Sequence, residues 1–136
     1  MAATADIYTK KKVGDIVEYP VLANTVIYGG TLVAVDANGY AQPAAGTSGF
    51  RVVGVAEGSV DNNPGASGAQ KIRVRRDGIH LFAASGLSQA NVGDIAEVSD
   101  DMTVVAAGAG SNNIKVGEIV EYVSATSCWV DITRVS

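Results

Sequence analysis

One short pattern recurs along this chain and constrains its fold. It stands three times in nearly identical form, at residues 13–19 (VGDIVEY), 92–98 (VGDIAEV) and 116–122 (VGEIVEY), and once in a shorter form at residues 53–57 (VGVAE). The glycine permits a tight turn or a bulge where a strand begins. Strand alternation then places the isoleucine and the last glutamate of each copy on the same face. The pattern predicts a chain built from short β-strands.

The same pattern also recurs at a longer spacing. Val35 is followed eighteen residues later by Val53, and Val98 is followed eighteen residues later by Val116. Each of these two blocks closes on an alternating strand, at residues 72–75 and 130–134. This order indicates an internal duplication. Two hairpins in any small β-domain obey the same turn and alternation rules, so duplication and coincidence are both open, and both give the same architecture.

Turn signals separate the predicted strands. Residues 29–30 (GG), 38–39 (NG) and 77–78 (DG) each lie between two apolar or alternating runs, which is typical of a two-residue β-hairpin. No segment shows a sustained helical period, and residues 85–91 are the best candidate for a helical turn. Many short strands with frequent turns predict an all-β domain, either a small barrel or a sandwich of short antiparallel strands.

Composition limits the domain count and the classes of partner. With 136 residues, 47% of them hydrophobic and 18% charged, the chain predicts one folded domain rather than a disordered one. Residues 1–12 are small, polar and unpatterned, so we expect a flexible N-terminal arm that precedes a single β-domain at residues 13–136. The net charge of −4 gives no basic footprint for nucleic acid. The start of the chain lacks the apolar region of a signal peptide, and no apolar run has transmembrane length.

Few residues offer chemistry. The chain has one histidine, His80, and one cysteine, Cys128, on different predicted strands, so neither a catalytic pair nor a thiolate metal cluster is indicated. The recurring glutamates would need to converge to bind calcium, and their places in separate strands favour solvated strand faces. These glutamates are Glu18, Glu57, Glu97 and Glu121. We therefore predict no catalytic, cofactor or metal site.

One group of cations and three loops are the candidate contact regions. Alternation places Lys71, Arg73 and Arg75 on one strand face, with Arg76 next to them. This row would suit a negatively charged protein surface, although a solvated edge strand is the simpler alternative. The loops at residues 42–49, 61–69 and 106–113 are rich in small residues. Two of them hold equivalent places in the two blocks, so we expect these two at one pole of the domain.

The order of these elements resembles the capsid decoration, or cement, proteins of tailed bacteriophages. The resemblance runs from about residue 13 to residue 135. It depends on the motifs VGDIVEY at 13–19, the basic strand at 71–75, DGIHLFAASG at 77–86, VGDIAEV at 92–98, and WVDI at 129–132.

The resemblance implies a structural, non-enzymatic protein without cofactors. Such a protein is made in the host cytoplasm, binds the outer surface of the phage head and clamps neighbouring subunits of the major capsid protein. It implies a homotrimer, or a dimer as in some relatives, and no nucleic-acid or membrane partner. The arm would order on the shell. The candidate contact residues are Ile7, Tyr8, Lys10, Lys11, Lys12, Lys71, Arg73, Arg75 and Arg76.

Two other functions are weighed against this one. A phage head or tail accessory module that binds a surface glycan would need exposed aromatic side chains, for which Tyr8, Tyr28, Tyr40 and Trp129 are the candidates. A small enzyme would need a convergent cluster that includes His80, and the sequence offers no partner pattern for it.

Overall fold

The computed structural model describes residues 2, 4–6 and 14–133, and most of the predicted arm lies outside this range. Within these residues the protein forms twelve short strands and two single turns of 3₁₀ helix, Gln89–Asn91 and Ser111–Asn113. The strands are β1 (Ile16–Pro20), β2 (Thr25–Ile27), β3 (Leu32–Val35), β4 (Ala41–Pro43), β5 (Arg51–Ala56), β6 (Val60–Asn62), β7 (Lys71–Arg75), β8 (Ile79–Ser85), β9 (Ile95–Val98), β10 (Thr103–Val105), β11 (Lys115–Ser124) and β12 (Ser127–Asp131).

Two five-stranded sheets make up the domain. The N-terminal sheet has the antiparallel order β1-β7-β5-β3-β4, and it curls until its two outer strands meet at a parallel bridge between Val21 and Ala41. The C-terminal sheet is a closed barrel of order β10-β8-β12-β11-β9, in which β8 and β10 are parallel and all other neighbours are antiparallel. The prediction of an all-β single domain with short antiparallel strands is confirmed, and the barrel alternative is present.

The two sheets repeat one topology. Strands β1, β7, β5, β3 and β4 correspond in order to β8, β12, β11, β9 and β10. The registers correspond too: Leu32 pairs with Val55 in the first half, and Ile95 with Glu118, each 63 positions later, in the second. The parallel bridge of Val21 with Ala41 matches the parallel pair of Ala84 with Val104 at the same offset. The structure therefore carries the internal repeat that the sequence left open.

The repeat differs from the sequence-based alignment in its last strand. The registers match β7 with β12, so Val55 paired with Arg75 corresponds to Glu118 paired with Asp131. Residues 72–75 thus correspond to 128–131 rather than to 130–134. The first half also carries an additional two-stranded sheet, formed by β2 and β6, between its other strands.

The core lies inside both sheets and between them. One apolar cluster fills the N-terminal sheet and includes Val21, Val33 and Ile72. A larger cluster fills the C-terminal barrel and extends to Leu32 and Ala34 of the first half. Because side chains from both halves share this second cluster, the halves are packed as one body.

The local turn signals are only partly confirmed. Residues 38–39 join β3 to β4 as a hairpin, with Gly39 at φ 85° and both strands paired. The predicted hairpins at residues 29–30 and 77–78 are wrong: β2 pairs with β6 rather than β3, and β8 belongs to the barrel rather than pairing with β7. Residues 77–78 instead connect the two halves. The predicted helical turn is confirmed at Gln89–Asn91.

Two of the three small-residue loops meet, as expected from their equivalent places in the repeat. The side-chain amide of Asn112 donates a 2.7 Å hydrogen bond to the carbonyl of Gly46. The third loop, residues 61–69, covers the end of β1. There the buried amide of Asn62 donates to the carbonyls of Leu22 and Ala66, both at 3.0 Å.

Gly117 offers a test of the closest backbone approach in the barrel. A methyl group at Gly117 would collide with the carbonyl of Asp131 on the paired strand β12, and relief requires a shift of backbone. We expect Gly117→Ala to lower the free energy of unfolding by about 1–3 kcal/mol, which is typical of overpacking. Urea denaturation followed by circular dichroism measures this change.

The matched control is Gly58→Ala, because a methyl group there has no atom within 4 Å. It should change the free energy of unfolding by no more than about 0.5 kcal/mol. Equal stability of the Gly117→Ala and Gly58→Ala proteins would show that the β11–β12 approach is not a structural constraint.

Candidate functional site

Strand β7 carries the cationic row that alternation predicted. Lys71 and Arg73 are exposed, while Ile72 and Val74 between them are buried. This strand lies between β1 and β5, so its assignment as an edge strand is wrong, whereas the exposure of Lys71 and Arg73 agrees with a solvated face. Glu18 of β1 pairs directly with Arg73. We call the outward side chains of β1 and β7 the β1/β7 face, and it is defined by Glu18, Lys71, Arg73 and Arg75.

Arg75 is engaged within the protein. Its guanidinium binds the carboxylate of Glu57 at 2.6 Å and approaches Asp77 at 3.4 Å and Asp15 at 3.6 Å. The hydrogen bond that Arg75 donates to the carboxylate of Glu57 raises the pKa of Arg75 above its ordinary value. Arg76 is exposed, and its backbone amide donates to the carbonyl of Asp15. Lys71, Arg73 and Arg76 are therefore the exposed members of the group, and Lys71 and Arg73 are the exposed cations of the β1/β7 face.

A shallow groove of about 400 Å³ lies on the β1/β7 face. Its lining combines charged and apolar side chains, namely Glu18, Glu57, Val60, Lys71, Ile72 and Arg73. An open groove of this composition suits a protruding side chain of another protein better than an enclosed small molecule.

The C-terminal barrel exposes an apolar face that sequence reasoning missed. Ile79 and Leu81 of β8 are 55% and 53% exposed, and Leu81 pairs with the half-buried Trp129 of β12. On the other side of Trp129, its partner on β11 is the exposed Glu121. We call this the β8/β12 face. Alternation around Phe82 was the available signal, because it places Leu81 on the face opposite to the buried Phe82.

The repeat makes these two faces equivalent. The pair Glu18 and Arg73 in the first half corresponds to the pair Leu81 and Trp129 in the second. The repeated scaffold therefore presents a charged surface on its first half and an apolar surface on its second half, on strands of the same register.

The two halves also differ in charge. Residues 1–78 contain eight Lys or Arg and seven Asp or Glu, a net charge of +1. Residues 79–136 contain two Lys or Arg and seven Asp or Glu, a net charge of −5. Glu118 and Glu121 place part of this negative charge on exposed positions of β11, next to the β8/β12 face.

Glu97 is an exception among the recurring glutamates. Glu18, Glu57 and Glu121 are exposed as expected, but Glu97 is only 5% exposed, so its assignment to a solvated face is wrong. Its carboxylate accepts 2.9 Å hydrogen bonds from the backbone amides of Gly108 and Gly110. The side-chain amide of Asn113 donates a third, at 3.1 Å. The loop at residues 106–113 folds over this strand and buries the group.

These hydrogen bonds determine the pKa of Glu97. Burial by itself would raise the pKa, but the donors Gly108, Asn113 and Gly110 favour the charged form, as does the nearby Lys115. The net result is a pKa below the ordinary value of 4.5. Glu97 is thus a charged anchor for the loop rather than a proton donor for catalysis.

The other candidates for chemistry are not brought together. The Nε2 atom of His80 lies 2.9 Å from the carbonyl oxygen of Asp77, and Cys128 is buried inside the barrel, where burial raises the pKa of its thiol. Among the described residues, no three His, Cys, Asp or Glu side chains are grouped to hold a metal ion. No helix in the same range is long and apolar enough to cross a membrane.

Some predicted contacts lie outside the described residues. These are Ile7, Tyr8, Lys10, Lys11 and Lys12 of the arm.

The chain shows no significant match to any family model, curated protein or solved structure.

The anchor role of Glu97 gives a prediction for stability and pH. Because the native pKa is below the ordinary value, the ionised group stabilises the fold above about pH 4.5, and this stabilisation is lost as the pH falls through the native pKa. We expect Glu97→Gln to lower the free energy of unfolding at pH 7 by about 1–3 kcal/mol. Denaturant titrations at a series of pH values should show the difference from the unmodified protein shrinking in acid.

Glu118→Gln is the control, since it removes one carboxylate from an exposed position of the same barrel. It should leave stability at pH 7 nearly unchanged. A Glu97→Gln protein whose deficit is the same at every pH would contradict the assignment of a charged anchor.

Proposed function

We propose that this protein is a structural component of a tailed-phage virion, which binds the outside of the head and clamps neighbouring subunits of the major capsid protein. The observation that carries the proposal is a single packed body with two outward strand faces of different chemistry. A clamp needs at least two contact surfaces held at a fixed distance, and the shared core holds the two faces in this way. The family resemblance of residues 13–135 supplies the identity of the partner.

The physics of such a clamp favours several weak contacts over one strong contact. Linked copies that engage together bind far more tightly than each contact alone. We propose that the protein acts as a homotrimer, with a dimer as the alternative, and that its location is the outer surface of the capsid. The exposed cations Lys71 and Arg73 and the arm at residues 1–12 are the proposed contacts with the shell.

A glycan-binding module of a phage head or tail is the second candidate. One observation favours it: Tyr28 is 64% exposed. Aromatic rings that present a face to solvent are common in small-ligand sites. A glycan array probed with the labelled protein separates the two candidates, because a structural clamp should bind no member of it.

Shell binding is tested by reversing the two exposed cations. We expect the double variant Lys71→Glu, Arg73→Glu to bind expanded empty phage heads at least about tenfold more weakly than the unmodified protein. The two new carboxylates would then face, and be repelled by, the negatively charged shell surface that the cations are proposed to contact. Co-sedimentation with heads at low and high salt measures the occupancy. The effect should be largest at low salt, where screening is weak.

Arg75 stays unchanged in this variant, because its reversal would break the ion pairs with Glu57, Asp15 and Asp77. Arg51→Glu is the matched control, as it reverses an exposed cation on a different strand. Failure of the unmodified protein to sediment with heads at any salt concentration would overturn the proposed function.

The arm is tested separately by deletion of residues 1–12. We expect the shortened protein to keep the unfolding transition of the full chain and to bind heads more weakly. Circular dichroism and co-sedimentation give the two readouts. If the shortened protein occupied heads as fully as the full chain, the arm would have no role in attachment.

A further inference from the structure

The two faces of the repeat are complementary as well as equivalent. The β1/β7 face presents the exposed cations Lys71 and Arg73 beside a groove. The β8/β12 face presents the ridge of Leu81 and Trp129, with Glu121 paired beside it. Without the arm, residues 14–78 contain five Lys or Arg and six Asp or Glu, a net charge of −1, and residues 79–136 have a net charge of −5, so the first half is the less negative one. One copy therefore carries both members of a matching pair of surfaces, at different places on the same body.

We propose that two copies of this chain associate head to tail, with the β8/β12 face of one copy docked on the β1/β7 face of the next. This names the interface for the self-assembly in the proposed function, and it does not require binding to a shell. In this arrangement the Leu81 and Trp129 ridge enters the groove on β1 and β7. The guanidinium of Arg73 then lies over the indole ring of Trp129 and within reach of the carboxylate of Glu121.

Each of these contacts has a physical reason. A guanidinium over an indole ring is attractive, and arginine is the cation that most often makes this contact. An ion pair between Arg73 and Glu121 uses a positive charge of one half and a negative charge of the other. Leu81, which is 53% exposed in the isolated chain, would lose its contact with water.

The size of the faces predicts a weak, concentration-dependent association. Three strands spaced by about 4.8 Å and five residues rising about 3.3 Å each cover roughly 15 by 17 Å. Such a contact covers about 250 Å² on each copy, which is smaller than a standard specific interface, so a single contact of this kind is weak. Because the two surfaces differ, the contact is heterologous, so repeated copies form a closed ring if the rotation closes and a chain if it does not. Closure of a ring gives every copy two contacts and strengthens assembly.

Reversal of charges in one chain tests the proposal, because each copy carries both faces. We expect the unmodified protein to have a mass above 13.9 kDa in light scattering at high concentration and low salt. Arg73→Glu alone and Glu121→Arg alone should each weaken association at least about tenfold. The combined variant Arg73→Glu, Glu121→Arg should regain association, since the pair is restored with opposite polarity.

Two further variants separate this interface from general effects. Leu81→Ser should weaken association without any change of charge, and it lies at an exposed position, so the fold should tolerate it. Arg51→Glu should leave association unchanged, as it reverses a cation outside both faces. The unfolding transition of every variant confirms that the fold is intact.

Clear outcomes overturn the proposal. A stable monomer of 13.9 kDa at all concentrations would exclude the interface, as would folded single variants that associate like the unmodified protein. A combined variant that stays as weak as the single variants would exclude the pairing of Arg73 with Glu121. Co-sedimentation with heads distinguishes this failure from failure of the proposed function. The Arg73 of a copy covered by its neighbour cannot also contact the shell. Return of both self-association and head binding in the combined variant would assign Arg73 to the interface between copies, whereas return of self-association alone would assign the Arg73 of uncovered copies to the shell. A monomer that binds heads would leave the shell function intact.

Discussion

Closure of both sheets depends on one backbone constraint. A glycine stands where β5 comes close to β7 in the first half, and another stands where β11 comes close to β12 in the second. A methyl group at Gly54 would collide with the carbonyl of Arg75, and one at Gly117 would collide with the carbonyl of Asp131. These glycines are equivalent in the repeat, and each lies next to a register shift against the adjacent strand. Such irregularities bend a strand and increase its twist. Five short strands can therefore turn through a full circle in the second half and nearly so in the first.

The sequence predicted the local structure better than the pairing of strands. The Val-Gly pattern precedes the start of β1 and β9, but Gly54 and Gly117 lie inside β5 and β11. Alternation in residues 71–75 correctly separated Lys71 and Arg73 from Ile72 and Val74. A turn signal, however, says only that the chain reverses and not which strand it joins. Residues 77–78 therefore look like a hairpin, although β7 and β8 belong to different sheets. The pairing of β1 with β7 and the parallel pairing of β8 with β10 join distant segments and have no short-range signal.

The repeat is visible in the sequence but ambiguous there, because only a few equivalent positions carry the same residue. Seven of the 41 positions paired by the 63-residue offset between residues 16–56 and 79–119 carry the same residue. The retained residues include Val53 and Gly54 with Val116 and Gly117, at the constrained backbone position. Elsewhere inward positions need only be apolar, so Ile72 corresponds to Cys128 without loss of the core. Buried Glu97 was misjudged because alternation gives the side of a strand but not what covers that side.

Divergence of the outward positions gives the repeat its functional potential. Two identical charged faces on one chain would repel their counterparts on another copy, and two identical apolar faces would aggregate without limit. Here the inward positions of β7 and β12 are all buried, whereas the outward positions differ: Arg73 corresponds to Trp129, and Glu18 to Leu81. The core thus fixes the spacing of two surfaces, while their chemistry is free to become complementary. A small domain with an internal repeat thus carries two different surfaces, one that offers cations and one that offers apolar side chains with carboxylates beside them.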